Sequence, residues 1–198
     1  WIDLPQRLGN KLAKLVGAGA NELVVADSTS VNLFKALSAA LSMAQADAPQ
    51  RRVILSERDN FPTDLYIAES LAHERGFELV LADAPEQIEP RLTQGDVAVL
   101  MLTQVNYRTG RLHDMAALTD AAHEAGALAW VDAVHYAPHG RIDVAGIGAD
   151  VLLCSPYKFY GPHIGMAYGK ESVIGSWRPY KVRPAADDPV GHRYELGT

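Results

Sequence analysis

The feature that most limits what this chain can fold into is the alternation of short apolar runs with helical segments along almost its whole length. Leu4 to Val16 places Leu4, Leu8, Leu12, Leu15 and Val16 at helical spacing and stops at the stretch from Gly17 to Ala20. Glu22-Leu-Val-Val-Ala26 reads as a strand. Asp27-Ser-Thr-Ser30 then supplies capping residues for a helix from Val31 to Ala46. The pattern repeats with a strand over Arg52 to Ser56, a helix over Pro62 to Arg75 with proline in its first turn, and a strand over Glu78 to Ala82. A helical segment over Pro85 to Leu92, a strand over Val97 to Leu102 and a helix over Asp114 to Ala125 follow, the last closed by Gly126. Ala127 to Val131 and Val151 to Cys154 read as buried strands, and Ile164 to Tyr168 as a further strand that suits an antiparallel place. Such alternation predicts an α/β fold: three layers, a mostly parallel seven-stranded sheet and helices on both of its faces. No linker, repeat or low-complexity segment interrupts the chain before about residue 176. One domain spanning 1–198 is therefore expected, with a loop-like stretch from Arg178 to His192 that holds three prolines and Asp187-Asp188.

Composition narrows the partners. A net charge of −6 is unfavourable for nucleic acid or an anionic membrane surface. No run approaches the ~18 apolar residues of a membrane span, and no basic-then-apolar leader opens the chain, so a cytoplasmic protein is expected. Cys154 is the single cysteine, which excludes an internal disulfide and a cysteine-rich metal site.

In an open α/β sheet, ligands bind beyond the C-terminal ends of the strands. Two of those ends carry the informative segments, Asp132-Ala-Val-His135 and Ser155-Pro-Tyr-Lys158. A carboxylate and an amine brought to one rim are the two groups that pyridoxal 5'-phosphate (PLP) requires, the first to hold its pyridine nitrogen protonated and the second to form a Schiff base. Other strand ends are compatible with this reading. Ser28-Thr29-Ser30, between a strand and a helix, is either a plain N-cap or an anion cradle built on helix N–H groups. Phe61 and Asp64 open the next helix, as a ring-stacking side chain and a hydrogen-bond acceptor or as an ordinary helix start with an acidic first turn. Thr103 heads a polar and aromatic loop, Gln104-Val-Asn-Tyr-Arg-Thr-Gly110, that suits a site or a simple turn. Asp132, at the end of a buried strand, needs a partner: a pyridinium N–H, His135, Arg141 or a helix N-terminus. Asp132 and His135 as a metal pair lack a third ligand at suitable spacing, so no metal is expected. Lys158, flanked by Tyr157 and Phe159-Tyr160-Gly161-Pro162, is either a nucleophilic amine or a lysine snorkelling out of an aromatic loop. Tyr157 is placed to donate to phosphate or to act as an acid.

At these residues the chain resembles the large domain of fold-type I PLP enzymes of the class V aminotransferase superfamily. Over about residues 1–130 it resembles bacterial kynureninases, through Asp27-Ser-Thr-Ser-Val-Asn-Leu-Phe-Lys35, Asn60-Phe-Pro-Thr-Asp-Leu-Tyr-Ile-Ala-Glu69, Met101-Leu-Thr-Gln-Val-Asn-Tyr-Arg-Thr-Gly110 and His113-Asp-Met-Ala-Ala-Leu118. From about residue 131, Asp132-Ala-Val-His-Tyr-Ala-Pro-His-Gly140 and Ser155-Pro-Tyr-Lys-Phe-Tyr-Gly-Pro-His163 are closer to cysteine-desulfurase-like proteins of the same superfamily. The resemblance implies Ser28, Thr29 and Tyr157 at the cofactor phosphate and Phe61 on the ring face. It further implies Asp64, Thr103 and His135 near the ring, Asp132 on the pyridine nitrogen and Lys158 as the Schiff-base lysine.

The activity implied is hydrolysis of L-kynurenine or 3-hydroxykynurenine to an anthranilate and L-alanine, with Lys158, Tyr157 and Asp132 catalytic. A cysteine-desulfurase-like lyase and an inactive large-domain fragment are the alternatives. A small amino-acid substrate and a homodimer sharing its active site are implied as partners. The family's N-terminal segment, and its C-terminal small domain with a carboxylate-binding arginine, have no counterpart in the sequence.

Overall fold

The computed structural model describes residues 3–177, so the loop expected over 178–192 lies outside the described residues. Seven strands form one sheet in the order β1-β7-β6-β5-β4-β2-β3. They are β1 (Leu23–Val25), β2 (Val53–Glu57), β3 (Glu78–Ala82), β4 (Val97–Thr103), β5 (Leu128–Asp132), β6 (Val151–Cys154) and β7 (Met166–Gly169). The pairs from β3 through β2, β4 and β5 to β6 are all parallel. β7 is antiparallel to both β6 and β1, so β1 again runs with the parallel set. Reversing one strand leaves the C-terminal ends of β1, β2, β4, β5 and β6 on a single rim.

Helices cover both faces. α2 (Thr29–Asp47) and α3 (Pro62–Arg75) bury Leu33, Ala36, Leu37, Leu41, Ala68 and Leu71 against one face. α1 (Leu4–Val16), α4 (Ile88–Leu92) and α5 (Met115–Glu124) bury Ala13, Val16, Ile88, Leu92, Met115 and Leu118 against the other. The two-residue period of a strand divides each run between these layers. Leu100 and Leu102 of β4 join the second core while Val99 and Met101 join the first, and Leu152 and Cys154 separate likewise from Val151 and Leu153. Two more short helices, α6 (Val144–Ile147) and α7 (Glu171–Ile174), lie in the connections around β6 and β7. Among the described residues, no helix is long and apolar enough to cross a membrane.

Some expected boundaries move. α2 begins at Thr29, two residues early, because the Ser28 side chain accepts a hydrogen bond from the Val31 N–H and caps the helix there. Asp114 likewise stands outside α5 as its cap, accepting from the Ala117 N–H. Thr103 and Asp132 prove to be the last residues of β4 and β5, paired in register, instead of the first residues after them.

Candidate active site

At the common rim, Ser28, Thr29, Ser30, Phe61, Asp64, Asp132, Val134, His135, Ser155, Tyr157, Lys158, His163 and Ile164 line one cavity of about 220 Å³. Most are delivered by the start of a helix or the end of a strand, and His163 and Ile164 by the segment that leads into β7. Ser28 to Ser30 open α2, and Phe61 and Asp64 open α3. Asp132 and His135 follow from β5, and the turn of 3-10 helix over Pro156–Phe159 carries Tyr157 and Lys158 beyond β6. Thr103 stands apart from the other expected site residues: it is buried beside Asp132 in register and is not part of the cavity wall.

The mouth of α2 is suited to an anion. Ser28 occupies the Val31 N–H, leaving those of Thr29 and Ser30 without an intrahelical acceptor. The Thr29 hydroxyl is joined to the Ser155 hydroxyl in a short hydrogen bond, which ties the helix start to the segment that bears Lys158.

On the opposite side two carboxyls meet. Asp64 and Asp132 are both buried, at 3 % and 8 % exposure, and hydrogen-bond to each other, which requires a proton on one of them. Burial and the neighbouring Asp132 charge push Asp64 up to about 8. Burial also raises Asp132, opposed by the Val134 N–H (2.7 Å to its Oδ1), by the bond with Asp64 and by the Lys158 charge. With more groups favouring its ionised form, Asp132 is the carboxylate of the pair and Asp64 the acid that donates to it.

Lys158 lies between the two ends. Its Nζ is 2.7 Å from His135 Nε2 and 5.8 Å from the ring centres of Phe61 and Tyr157. An ammonium has only donors, so His135 Nε2 accepts and the imidazole proton resides on Nδ1. Burial and then the Lys158 charge lower the His135 pKa, consistent with a neutral ring. His135 Nδ1 is buried without a partner, as is Thr103 Oγ1 behind Asp132.

Three residues near this centre carried no assigned role in the sequence reading. Tyr107 forms an aromatic group with Phe61 (ring centres 5.3 Å apart, edge-on) and His135 (6.4 Å, stacked). His163 stacks on Tyr157 at 4.4 Å with the rings nearly parallel, and Ser155 bonds Thr29. Only the aromatic content of the 104–110 loop hinted at Tyr107. The contact of Ser155 arises from tertiary structure, and that of His163 from the fold of the connection between β6 and β7.

The donor set fits PLP: helix-start N–H groups for a phosphate, an aromatic face, a buried carboxylate for a ring N–H, an unpaired polar atom on His135, and a primary amine.

Comparison with known proteins agrees with this fit. A kynureninase from Pseudomonas fluorescens is 52% identical over 161 residues, covering 80% of this chain and 38% of that protein. A kynureninase from Burkholderia mallei (strain SAVP1) is 42% identical over 199 aligned positions, covering 98% of this chain and 46% of its own length. This second similarity runs through the Lys158 segment, well past residue 130. The chain thus spans less than half the length of these relatives. Among solved structures, an apo cysteine desulfurase from Thermococcus onnurineus NA1 superimposes with a TM-score of 0.80 at 23% identity, covering 98% of this chain and 52% of that one. A NifS-like protein superimposes with a TM-score of 0.78 at 18% identity, covering 96% of this chain and 55% of that one. These likenesses establish the shared fold. Residues 6–188 match the family described as Aminotransferase class-V, whose enzymes use PLP, and this chain belongs to that family.

Proposed function

We propose that this chain is the PLP-binding part of a kynureninase-like hydrolase, which cleaves L-kynurenine or its 3-hydroxy derivative with water to an anthranilate and L-alanine. The supporting observation is the single cavity that gathers the Lys158 amine, the buried Asp132 carboxylate and the open N-terminus of α2. The kynureninase similarity over 98% of the chain supports this choice of substrate.

When bound, the cofactor supplies an electron sink that stabilises negative charge at the substrate's α-carbon. The remaining work falls to the chain's own residues. Thr29 and Ser30 N–H groups would hold the phosphate, and Phe61 would offer an aromatic face to the ring. Asp132 would keep the ring nitrogen protonated, while Asp64 retains its own proton and stays neutral beside it. Lys158 would hold the cofactor, and its amine, when free, would take the substrate α-proton. His135 Nε2 holds the Lys158 amine in place until then. Tyr157 is the proton donor for the departing fragment.

The test is PLP titration by absorbance, then borohydride reduction and peptide mapping, then assay of anthranilate release from kynurenine. The expected result is a pyridoxyl label on Lys158 that disappears in Lys158→Ala, together with anthranilate. Label at another lysine would overturn the site. Label on Lys158 with alanine and sulfide released from cysteine, and no anthranilate from kynurenine, would overturn the substrate.

A further inference from the structure

The residue before the phosphate-receptive turn is an acid. Asp27 sits between β1 and α2 with φ +46°, a left-handed conformation that few residues other than glycine, asparagine and aspartate adopt. A carboxylate there repels an arriving phosphate unless its charge is answered. Lys35, two turns into α2 and only 5 % exposed, forms a short ion pair with the Asp27 side chain. The backbone of the same residue is held from the other side: the Gly165 N–H donates to the Asp27 carbonyl at 2.6 Å, and the Ala26 N–H donates to the Gly165 carbonyl at 3.1 Å. Asn32 Nδ2 donates to the Ala26 carbonyl at 2.8 Å. A Cβ on Gly165 would lie 2.6 Å from Asn32 Nδ2 and 2.7 Å from both the Ala26 oxygen and the Ser28 carbonyl carbon, so only glycine lets the 165 backbone lie against this turn.

We propose that Asp27, Lys35 and Gly165 are positioning residues that make the turn over 28–30 selective for a phosphate monoester. Gly165 and the strained Asp27 backbone aim the Thr29 and Ser30 N–H groups into the cavity. Lys35 neutralises the Asp27 carboxylate, which precedes them in the chain. This inference rests on the proposed cofactor. It assigns no contact with the cofactor to any of the three.

The experiment compares PLP with pyridoxal, which lacks the phosphate, as ligands of the 198-residue chain, by equilibrium titration at low salt. The variants are Lys35→Met, the double variant Lys35→Met/Asp27→Asn, and Gly165→Ala. Lys35→Met leaves the Asp27 charge unanswered and is expected to weaken PLP about tenfold with pyridoxal unchanged, an effect that added salt reduces. The double variant, which removes that charge but keeps a residue tolerant of positive φ, is expected to recover most of the loss. Gly165→Ala displaces the turn without touching either charge and is expected to lower the PLP preference with no salt dependence. Equal weakening of both ligands in Lys35→Met, or a double variant as weak as the single one, would overturn the inference. Wild-type chain that binds PLP no better than pyridoxal would instead overturn the phosphate reading of the site, and this inference with it.

Discussion

Asp64 illustrates how far a single residue's chemistry is set by its fold. As the third residue of α3 it is in sequence an ordinary acidic first-turn residue, with a favourable place near the helix dipole. Burial against Asp132 turns it into an acid that keeps its proton near neutrality. The sign of the consequence is definite. A group whose folded pKa is raised contributes its stability fully below its ordinary 3.8 and loses it as pH rises through about 8. Urea unfolding across that interval should therefore show wild type losing stability with pH relative to Asp64→Asn, which cannot ionise. A difference between the two that is constant with pH would mean that Asp64 holds no such proton. In the sequence, Asp132 and Lys158 stood out because polar groups follow apolar runs there. The protonation of Asp64 and the hydroxyl link from Thr29 to Ser155 were not legible, because each partner comes from a distant strand end, and the stacking of His163 on Tyr157 was not, because it depends on how the connection between β6 and β7 folds back on itself.

At the scale of elements, periodicity served well where it was long. α1, α3, β3 and β6 run between the residues expected of them, since full helical turns or an uninterrupted apolar run bounded by glycine, proline or charge define both ends. α6 and α7, at four residues each, are too short to display any period and were not foreseen. Packing also overrides propensity. Gly9 lies inside α1, where alanine would ordinarily strengthen a helix. A Cβ at that position would be driven into the Leu23 carbonyl oxygen of β1. Gly9→Ala is accordingly expected to destabilise the chain by about 1–3 kcal/mol, the range typical of overpacking, as read by urea denaturation. An unchanged or raised midpoint would mean that α1 is free to move away from β1.

For the whole molecule, the sheet is the sequence's clearest message, because alternating strands and helices admit few topologies. The reversal of β7 was anticipated only as suitable, and its place between β1 and β6 was not, since no local pattern records which strands become neighbours. The kynureninase relatives are more than twice as long as this chain, so substrate handling and assembly belong to the proposal. We expect a homodimer, seen in gel filtration as a species of twice the chain mass that PLP strengthens. Elution as a monomer at every concentration, with or without PLP, would count against a shared active site.

The strand order has a consequence for synthesis. β1 is made early, yet it joins the sheet only through β7, and the Asp27 carbonyl meets its Gly165 partner from the turn just before that strand. A chain still emerging from the ribosome can pair β2, β3, β4 and β5 in turn, while Ser28 to Ser30 wait unanchored at the far edge. On the proposed reading, completion of the phosphate-receptive turn would wait for the closing steps of folding, and a chain released before Met166 would lack the strand that joins β1 to the sheet.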